Sequence, residues 1–286
     1  MNKHIAVLLK LGHIESTPGS GWLSKALLAP KPHQESIYDI KYFKWQFCVN
    51  YIGLNQVTLV FAYSIPRCDT AVGYQFGDIW RFWLIDFPQG YHQILVAVSS
   101  RDKLSFAGTD ASVYRYRVIP FGPVNGTTIF IQFMHDMNFE CQQLAFRRDV
   151  PFGPNTNTKL IVDDLFNFSE DFTTALDYME CQFICAARRR LSFSLPKTHF
   201  FLDRLELVGI DVGTKGNFPA RSKHVLLKSW PKPIIIRDGA SFIAFGLFYS
   251  KWIPFYEVKI APLRELSCAH YDVAIAATMW KNACQE

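Results

Sequence analysis

The sequence predicts an α+β fold, assembled from antiparallel strands and separate helices. Residues 159–168 place two adjacent acids, Asp163 and Asp164, between apolar runs of β-forming residues, the pattern of a strand, a tight turn and a second strand. Residues 81–86 form an almost purely apolar run that predicts another strand. Residues 127–138 and 170–190 instead repeat apolar side chains at helical spacing.

The remaining elements follow in chain order. Apolar and polar side chains alternate from Phe43 to Val49, which predicts strands there. Asn125 or Thr127 can cap the helix that starts after them. The complete prediction begins with a short helix and a loop in residues 1–36, two strands in 37–62, a strand at 81–86, a strand at 113–121, a helix at 127–138 and a loop at 139–158. The acidic hairpin, a helix at 170–190, strands in 191–211 and short helices in 238–266 follow. The arginine run at 188–190 fits either a solvated helix end, which is the commoner case, or a binding site.

Length and composition bound the class of protein. The 286 residues suffice for two domains or one large one, and a hydrophobic content of 49% supports a folded core. The net charge of +5 permits a nucleic-acid partner without demanding one. No apolar run reaches the roughly 20 residues that span a bilayer, and the N-terminal run is too short for a secretory signal, so we expect no membrane partner.

The seven cysteines are scattered, and their number is odd. In a chain of this size they predict reduced thiols in an intracellular protein, cytoplasmic or nuclear and not secreted. Cys181 and Cys185 are four residues apart and are expected to share a helix face. No second pair lies nearby in the sequence, so we do not predict a zinc site.

The acid pair admits two interpretations. Asp is common in turns because its side chain hydrogen-bonds nearby backbone groups, so Asp163 and Asp164 fit an ordinary surface hairpin. They also fit a Mg²⁺ site, where water and substrate phosphates complete the coordination. Such a site needs a third acid, and Asp86 is the candidate because an acid that ends an apolar strand is costly unless it is paired or metal-bound. The alternative places Asp86 just outside the core, where it caps the next turn.

A series of short blocks runs through the sequence: residues 28–32 (LAPKP), 45–55 (WQFCVNYIGLN), 86–94 (DFPQGYHQI), 120–126 (PFGPVNG), 161–164 (IVDD), 207–209 (LVG), 230–231 (WP) and 248–254 (FYSKWIP). In this order, from about Leu8 to Leu266, the chain resembles the reverse transcriptase of gypsy-type LTR retrotransposon polyproteins. The first block is similar to that family's first fingers strand, and the second to its WRxCVDYRxLN. The next two match DxxxGYHQI and PFGxxN, and IVDD lies at the position of the family's aromatic-x-Asp-Asp. The last three lie at the FLG and WP landmarks and at FYSRFIP.

The resemblance implies a right-hand polymerase fold with fingers, a palm whose antiparallel sheet is backed by helices, and the start of a thumb or connection. The expected boundaries are residues 1–80 for the N-terminal arm and fingers, 81–211 for the palm with a fingers insertion at about 95–120, and 212–286 for a helical thumb/connection-like region. No protease or RNase H segment is visible in the sequence. The chain is therefore expected to be a piece of a polyprotein once fused to protease, RNase H and integrase, or a degraded copy.

The resemblance also implies RNA-directed DNA polymerase activity. Asp86, Asp163 and Asp164 are the implied catalytic residues and would hold two Mg²⁺ ions, with Mn²⁺ as an alternative, about 3.5–4 Å apart. One ion activates the primer 3′-hydroxyl, and the other binds the nucleotide triphosphate. The implied partners are an RNA or DNA template with its primer and deoxynucleoside triphosphates.

Further roles are carried over by position. The implied nucleotide-binding residues are Gln46, Phe87, Tyr91, Phe121 and Gly122. The implied primer and template contacts are Val208, Gly209, Asn125, Lys223 and Lys228, and the resemblance places Val208 and Gly209 at the hairpin that supports the primer end. In the family, the aromatic ring at the position of Tyr91 lies under the sugar of the incoming nucleotide and excludes a 2′-hydroxyl. Judged from the sequence alone, Tyr91 fits a core aromatic equally well. Residues 212–237 contain six basic residues and no acid, which fits either duplex-backbone contact or a solvated basic face.

The chain departs from the family pattern at several positions. Gln46 replaces an Arg that holds the triphosphate, and a neutral amide cannot make the charged bidentate contact of a guanidinium. Lys41 and Lys44 lie close by and can supply positive charge. The other departures are Asn50, Ile52, Thr127, Thr128 and Ile161, the last in place of the aromatic before the acid pair. These departures support an alternative function, a catalytically impaired remnant that only binds nucleic acid or is inert.

Overall fold

The structure, a computed structural model, describes residues 1–30, 45–63, 79–109, 111–153, 156–161, 164–231 and 236–268. Contacts divide the chain into two compact units. The first unit comprises Met1–Ala71 and Gly77–Asp203, and the second comprises Val72–Phe76 and Arg204–Glu286. The predicted division of the chain near residues 80 and 211 stays a prediction.

The first unit contains two sheets and their helices. Its described strands are β1 (Ile14–Thr17), β2 (Ser24–Pro30), β3 (Trp45–Asn50), β4 (Arg81–Asp86), β5 (Ser105–Ala107), β6 (Val113–Tyr116), β7 (Asn157–Ile161), β8 (Asp164–Ser169) and β9 (His199–Leu202). Its described helices are α1 (Asn2–Lys10), α2 (Ile52–Val57), α3 (Val98–Arg101), α4 (Gly126–Arg147) and α5 (Phe172–Arg188), with 3₁₀ turns at Gly90–Gln93 and Asp102–Leu104.

The first sheet has the strand order β1-β6-β5-β2-β3, and only β2 and β5 pair in parallel. Its strands β5 and β6 come from the segment predicted to be a fingers insertion, and they share the sheet with the N-terminal strands. Val49 and Tyr51 are buried against Phe106 and Tyr116. Gln46, on the same strand as Val49, is exposed, so the alternation predicted for this strand is confirmed.

The second sheet has the strand order β7-β8-β4-β9 and is antiparallel throughout. Trp83 and Leu165 form one core cluster with Met134 of α4 and Tyr178 of α5, so the two helices cover this face of the sheet. An antiparallel sheet backed by helices is the arrangement that the sequence implied for the palm.

The second unit begins with a three-stranded antiparallel sheet and continues with helices. The strands are β10 (Arg204–Leu207), β11 (Ile210–Gly213) and β12 (Gly216–Pro219), in that order across the sheet. The helices are α6 (Arg221–Lys228), α7 (Ile236–Phe248) and α8 (Tyr256–Cys268). The short helices predicted in 238–266 are confirmed. The strand β12 lies in the region 212–286, which was expected to be helical, and it is a strand because its residues pair with β11.

Three local predictions are wrong. Residues 52–57 form α2 instead of the second strand predicted in 37–62; Asn55, inside that helix, hydrogen-bonds the main chain of residues 122 and 124 and fixes the turn. The predicted loop 139–158 is helical as far as Arg147, because Cys141 and Ala145 are buried beneath an otherwise polar stretch of α4. The predicted strand 113–121 ends at Tyr116, and beyond it Val118 forms only an isolated bridge with Leu95.

The predicted helix at 170–190 is confirmed as α5, and its N-cap Asp171 accepts a hydrogen bond from the Thr174 amide. Its buried stripe includes Tyr178, Cys181 and Cys185, so the two cysteines do share a buried face. Burial raises the pKa of both thiols and of Cys141 on α4. None of the described helices combines the length and apolar character needed to cross a bilayer.

Candidate active site

Asp86 and Asp164 lie opposite each other at one end of the second sheet. Asp86 is the last residue of β4, Asp164 is the first residue of β8, and the antiparallel register makes them direct Cα partners. Directly opposite residues point to the same face, with Cα atoms about 4.5–5.5 Å apart. Both side chains are partly buried. The structure therefore brings together two of the three acids that the sequence singled out.

The acid hairpin, defined as β7 and β8, confirms the predicted strands on both sides of the acid pair. Ile161 ends β7, is buried, and pairs with Asp164. The third acid, Asp163, lies outside the described residues. Within the described part of the chain no three His, Cys, Asp or Glu side chains form a metal-binding group. The convergence of all three acids stays a prediction.

The Asp86 carboxylate has a cationic neighbour and one oxygen without a hydrogen-bond partner among the described residues. Its Oδ1 lies 3.5 Å from the Lys197 ammonium. Its Oδ2 is buried and has no hydrogen-bond partner among the described residues. A buried carboxylate oxygen without a partner is costly, and hard divalent cations such as Mg²⁺ bind such oxygens. The donor groups present at Asp86 and Asp164 thus fit a divalent metal ion.

A buried polar network lies behind the two acids, on the helix-covered face of the sheet. Gln182 of α5 donates to Thr158 Oγ1 at 2.9 Å and to Asn167 Oδ1 at 2.5 Å, and it accepts a hydrogen bond from Trp83 Nε1 at 3.2 Å. Asn167 also donates to the Trp83 carbonyl at 3.4 Å. The network joins β4, β7 and β8 to one helix, and so fixes the register that places Asp86 opposite Asp164.

A second set of contacts holds residues 192–198 beside the end of β4. The Ser194 amide donates to the Asp86 carbonyl at 2.9 Å. Gln93 donates to the carbonyls of Pro88 and Ser192, and it accepts from the Ser192 amide at 2.7 Å. These bonds place Lys197 next to the Asp86 carboxylate.

Tyr91 lies in the 3₁₀ turn that follows β4 and is partly buried. Its ring stacks on Phe130 at 4.9 Å and contacts Phe121 at 5.0 Å, and its hydroxyl donates to Thr127 Oγ1 at 3.2 Å. Phe130 belongs to the core, whereas Phe121 is 53% exposed. Tyr91 is therefore a surface-facing extension of the core, which is compatible with both interpretations of its role.

The other predicted nucleotide contacts differ in exposure. The Phe87 side chain is buried in the core, so only its main chain can face a nucleotide. Gly122 has a φ of +110°, and a Cβ there would lie 3.2 Å from the Tyr51 ring, so both conformation and space favour glycine. Burial, and then the nearby His13, lower the pKa of His92 to about 4. His92 is therefore neutral at pH 7 and adds no positive charge beside Phe121.

Gln46 lies on β3 opposite Ala29, and its side chain is exposed. Its orientation toward the acids stays a prediction. Lys41 and Lys44, the proposed substitutes for the missing charge, lie outside the described residues.

Val208 and Gly209 form the turn of the hairpin β10–β11, hereafter the Val208 hairpin. Both have positive φ, 49° and 79°, which is the signature of a type I′ turn. Val208 is 50% exposed. The Gly209 carbonyl accepts hydrogen bonds from the Ala220 amide at 2.9 Å and from the Tyr249 hydroxyl at 3.2 Å. The hairpin expected at these residues is confirmed, and its contact with a primer stays a prediction.

The remaining primer and template candidates lie in different places. Lys223 and Lys228 are on α6, and the Lys223 stem packs close to Gly209. Asn125 is the N-cap residue of α4, but its side chain bonds the main chain at Leu59 and Phe61 instead of capping the helix. Lys232, part of the predicted basic segment, lies outside the described residues.

The sequence did not point to Lys197 or to Gln182. Lys197 is 111 positions from Asp86, and a lone lysine after a proline carries no signal of its partner. Gln182 lies in a run whose apolar spacing predicts only a helix, although a Gln on the buried face of a helix does indicate a polar network.

Comparison with known proteins adds independent findings. Residues 44–226 match the family model for reverse transcriptase (RNA-dependent DNA polymerase). The Pol polyprotein of the Drosophila melanogaster transposon opus is 25% identical over 85% of this chain and 22% of its own length. The Drosophila polyprotein of transposon gypsy is 23% identical over 76% of this chain and 20% of its own length. The chain thus spans about a fifth of these curated relatives.

Solved structures with the same fold include the foamy viral protease-reverse transcriptase. The form in complex with double-stranded DNA has a TM-score of 0.78 and 16% identity, covering 99% of this chain and 46% of that one. The form in complex with an RNA/DNA hybrid has a TM-score of 0.72 and 15% identity, covering 99% of this chain and 36% of that one. These matches confirm the mixed α+β polymerase fold that the sequence predicted.

Proposed function

Because the chain belongs to the reverse transcriptase family, we propose that it is the RNA-directed DNA polymerase of a gypsy-type retrotransposon. The similarity to Drosophila transposon polyproteins confirms the gypsy-type resemblance found in the sequence. The proposed reaction is transfer of a nucleotidyl group from a deoxynucleoside triphosphate to a primer 3′-hydroxyl, on an RNA or DNA template. We propose that protease, RNase H and integrase segments belong to the same polyprotein.

One observation carries the proposal. The acids that end β4 and begin β8 are cross-strand partners, and one buried oxygen of Asp86 lacks a partner among the described residues. We assign Asp86, Asp163 and Asp164 as the ligands of two Mg²⁺ ions, with Mn²⁺ as an alternative. When bound, such ions polarise the reacting hydroxyl and offset charge on the phosphates. The chain's own contribution is positioning, because the Gln182 network and the strand register hold the carboxylates in place.

The nucleotide site is proposed to lie beside Tyr91, Phe121 and Gly122. The Tyr91 ring is held from two sides by Phe130 and Phe121, so it resists displacement by a sugar that carries a 2′-hydroxyl. Gly122 lets the backbone approach a ligand closely. Gln46 and Phe87 complete the proposed set, Phe87 through its main chain.

The primer is proposed to contact the Val208 hairpin, with Lys223 and Lys228 holding phosphates of the duplex. Lysines contact phosphates without reading the base sequence, as sequence-independent binding of a duplex requires. Asn125 is proposed to act indirectly, because its side chain fixes residues 59–61.

The decisive experiment is primer extension on an RNA template with Mg²⁺. We expect the purified chain to extend the primer, and Asp86→Asn to lower kcat by about 10²- to 10³-fold or more, since a charged ligand is lost. The matched control is Asp203→Asn, which removes an exposed ion pair with Arg81 at the opposite end of β4 and should leave kcat unchanged. Equal rates for Asp86→Asn and the unaltered chain would contradict the assignment.

The alternative, a catalytically impaired remnant, is favoured by Gln46 and by the buried Ile161 in place of an aromatic. Absence of product from the folded, unaltered chain, together with retained binding to primer-template, would establish it. Gln46→Arg provides the discriminating variant. If the lost guanidinium limits the reaction, kcat/KM for deoxynucleotides should rise about 10- to 100-fold, whereas Gln143→Arg on the exposed side of α4 should have no effect.

The sugar assignment has its own test. Tyr91→Ala should admit ribonucleotides, whereas Tyr91→Phe, which keeps the ring and loses only the bond to Thr127, should not. Competition between ribo- and deoxynucleotides in one extension reaction measures the ratio. Unchanged discrimination by Tyr91→Ala would assign Tyr91 to the core alone.

A further inference from the structure

Lys197 stands beside Asp86 because the backbone holds it there. The Ser194 amide bonds the Asp86 carbonyl at 2.9 Å, and the amides of Lys197 and Thr198 both donate to the Ser194 carbonyl, at 3.1 and 2.8 Å. The turn at residues 194–198 is therefore hydrogen-bonded directly to the main chain of Asp86, the residue whose carboxylate Lys197 contacts. Gln93 fastens the chain just before this turn through Ser192. Lys197 does not reach Asp86 from a free segment.

The charges at this place explain why a cation is useful. Asp86 and Asp164 are directly opposite each other, and like charges in that position repel. The Asp86 side chain is only 21% exposed, so water screens it poorly, whereas Lys197 is 66% exposed and can swing into solvent at little cost. Lys197 Nζ lies 3.5 Å from Oδ1, the oxygen next to the buried Oδ2. The ammonium thus lies beside the carboxylate, where its positive charge opposes the approach of a metal ion.

We propose that Lys197 is the counter-ion of Asp86 in the metal-free protein and that a divalent metal must displace its ammonium to bind. Lys197 then sets the metal concentration that the site requires. This inference rests on the proposed function, since it assumes that Asp86 is a metal ligand. Besides the residues that would bind the metal, the site then contains one residue, Lys197, that competes with the metal.

The test is a Mn²⁺ titration at low salt, without nucleotide or nucleic acid, in which the relaxation rate of water protons measures the bound Mn²⁺. Lys197→Met removes the charge and keeps most of the side-chain length. It should lower the dissociation constant for Mn²⁺ about two- to fivefold, the change that corresponds to the loss of a mostly exposed ion pair. Lys197→Arg should bind Mn²⁺ as the unaltered chain does. Lys103→Met, a surface change with the same loss of charge, should also leave the dissociation constant unchanged.

Thermal unfolding gives a second readout that does not depend on activity. Without metal, Lys197→Met should melt at a lower temperature than the unaltered chain, because Asp86 has lost its counter-ion. Saturating Mn²⁺ should raise its melting temperature by more than it raises that of the unaltered chain, since tighter binding stabilises more. Lys103→Met should show neither change.

Asp86→Asn distinguishes a failure of the proposed metal site from a failure of the Lys197 proposal. If Asp86→Asn weakens Mn²⁺ binding and Lys197→Met equals the unaltered chain, the counter-ion inference is overturned and the proposed metal site stands. If Lys197→Met weakens binding, Lys197 supports the metal site instead of competing with it, which also overturns the inference. If Asp86→Asn leaves Mn²⁺ binding unchanged, the metal site and the inference fail together.

Discussion

The acid hairpin and the Val208 hairpin have the same plan and are held in different ways. In each, two antiparallel strands are separated by two residues, closed by the pairs Ile161–Asp164 and Leu207–Ile210. Every residue of β8 after Asp164 is buried, and its Asn167 enters a network of side-chain hydrogen bonds. The strand β10 instead alternates exposed and buried residues, and its turn is fixed through a single carbonyl.

The difference separates two requirements. The proposed metal site requires carboxylates that keep their spacing, and β4 and β8 are accordingly mostly buried and joined by several mutually dependent bonds. The proposed primer contact at the Val208 hairpin requires only that its main-chain direction is fixed, and its exposed side chains remain available. Each of the following predictions tests one part of this contrast, beginning with the largest expected effect.

The first prediction concerns the network behind the acids. Gln182→Leu keeps the volume but leaves Trp83 Nε1 unpaired and removes a partner from Thr158 and Asn167, and Gln182 is 1% exposed. We expect the free energy of unfolding to fall by about 3 kcal/mol, measured by urea denaturation. Gln143→Leu on the exposed side of α4 should change it by less than about 0.5 kcal/mol. A loss below about 1 kcal/mol for Gln182→Leu would show that the network does not hold the acid hairpin.

The second prediction concerns the anchor of the Val208 hairpin. Gly209 has a φ of +79°, and a Cβ there would lie 2.6 Å from the Tyr249 hydroxyl. Gly209→Ala should therefore cost about 2 kcal/mol, about half from the backbone conformation. Tyr249→Phe alone should cost about 1 kcal/mol or less, because the Ala220 amide still bonds the Gly209 carbonyl.

A double-mutant cycle isolates the steric part of the second prediction. Adding Tyr249→Phe to Gly209→Ala removes the atom that the new methyl group meets, so the combined cost should be smaller than the sum by about 1 kcal/mol. Strict additivity would mean that the hydroxyl does not limit this turn.

The third prediction concerns Val208 itself and has the smallest effect on stability. A β-branched residue is disfavoured at positive φ, and Asn is a preferred residue at this place in a type I′ turn. Val208→Asn should stabilise the chain by about 0.5–1 kcal/mol and yet slow primer extension, if the exposed apolar side chain contacts the primer. Val225→Asn, at an exposed valine of α6, should give no stabilisation. A gain in stability without loss of extension would leave Val208 with no part in primer contact.

The sequence predicted the strand ends at Asp86 and Asp164 because strand ends are marked locally. The apolar run before Asp86 and the β-forming residues on both sides of Asp163 and Asp164 are visible in short windows, and so is the helical spacing of α4 and α5. The second strand expected in 37–62 was wrong because the conformation of Asn55 depends on residues 122 and 124, which are close only in the folded chain.

The partners of the acids could not be predicted for the same reason. Lys197 reaches Asp86 across 111 positions, through bonds made by Ser194 and Gln93 that no local pattern announces. The buried Gln182 is likewise meaningful only once Trp83, Thr158 and Asn167 surround it. Conversely, the resemblance to the family predicted the turn at Val208. Local propensity alone would have missed this turn, because valine is disfavoured at a turn position with positive φ.

The strand β1 has a consequence for how this chain can be shortened. It is an outermost strand of the first sheet and pairs with β6 from Ile14 to Thr17. Its Glu15 faces three guanidinium groups, those of Arg101, Arg115 and Arg117, at 3.6, 2.8 and 3.6 Å. A version that starts after residue 17 would expose the bare backbone edge of β6 beside positive charges that have lost their shared acid. Such an edge recruits strands from other molecules, so trimming these few residues should promote aggregation.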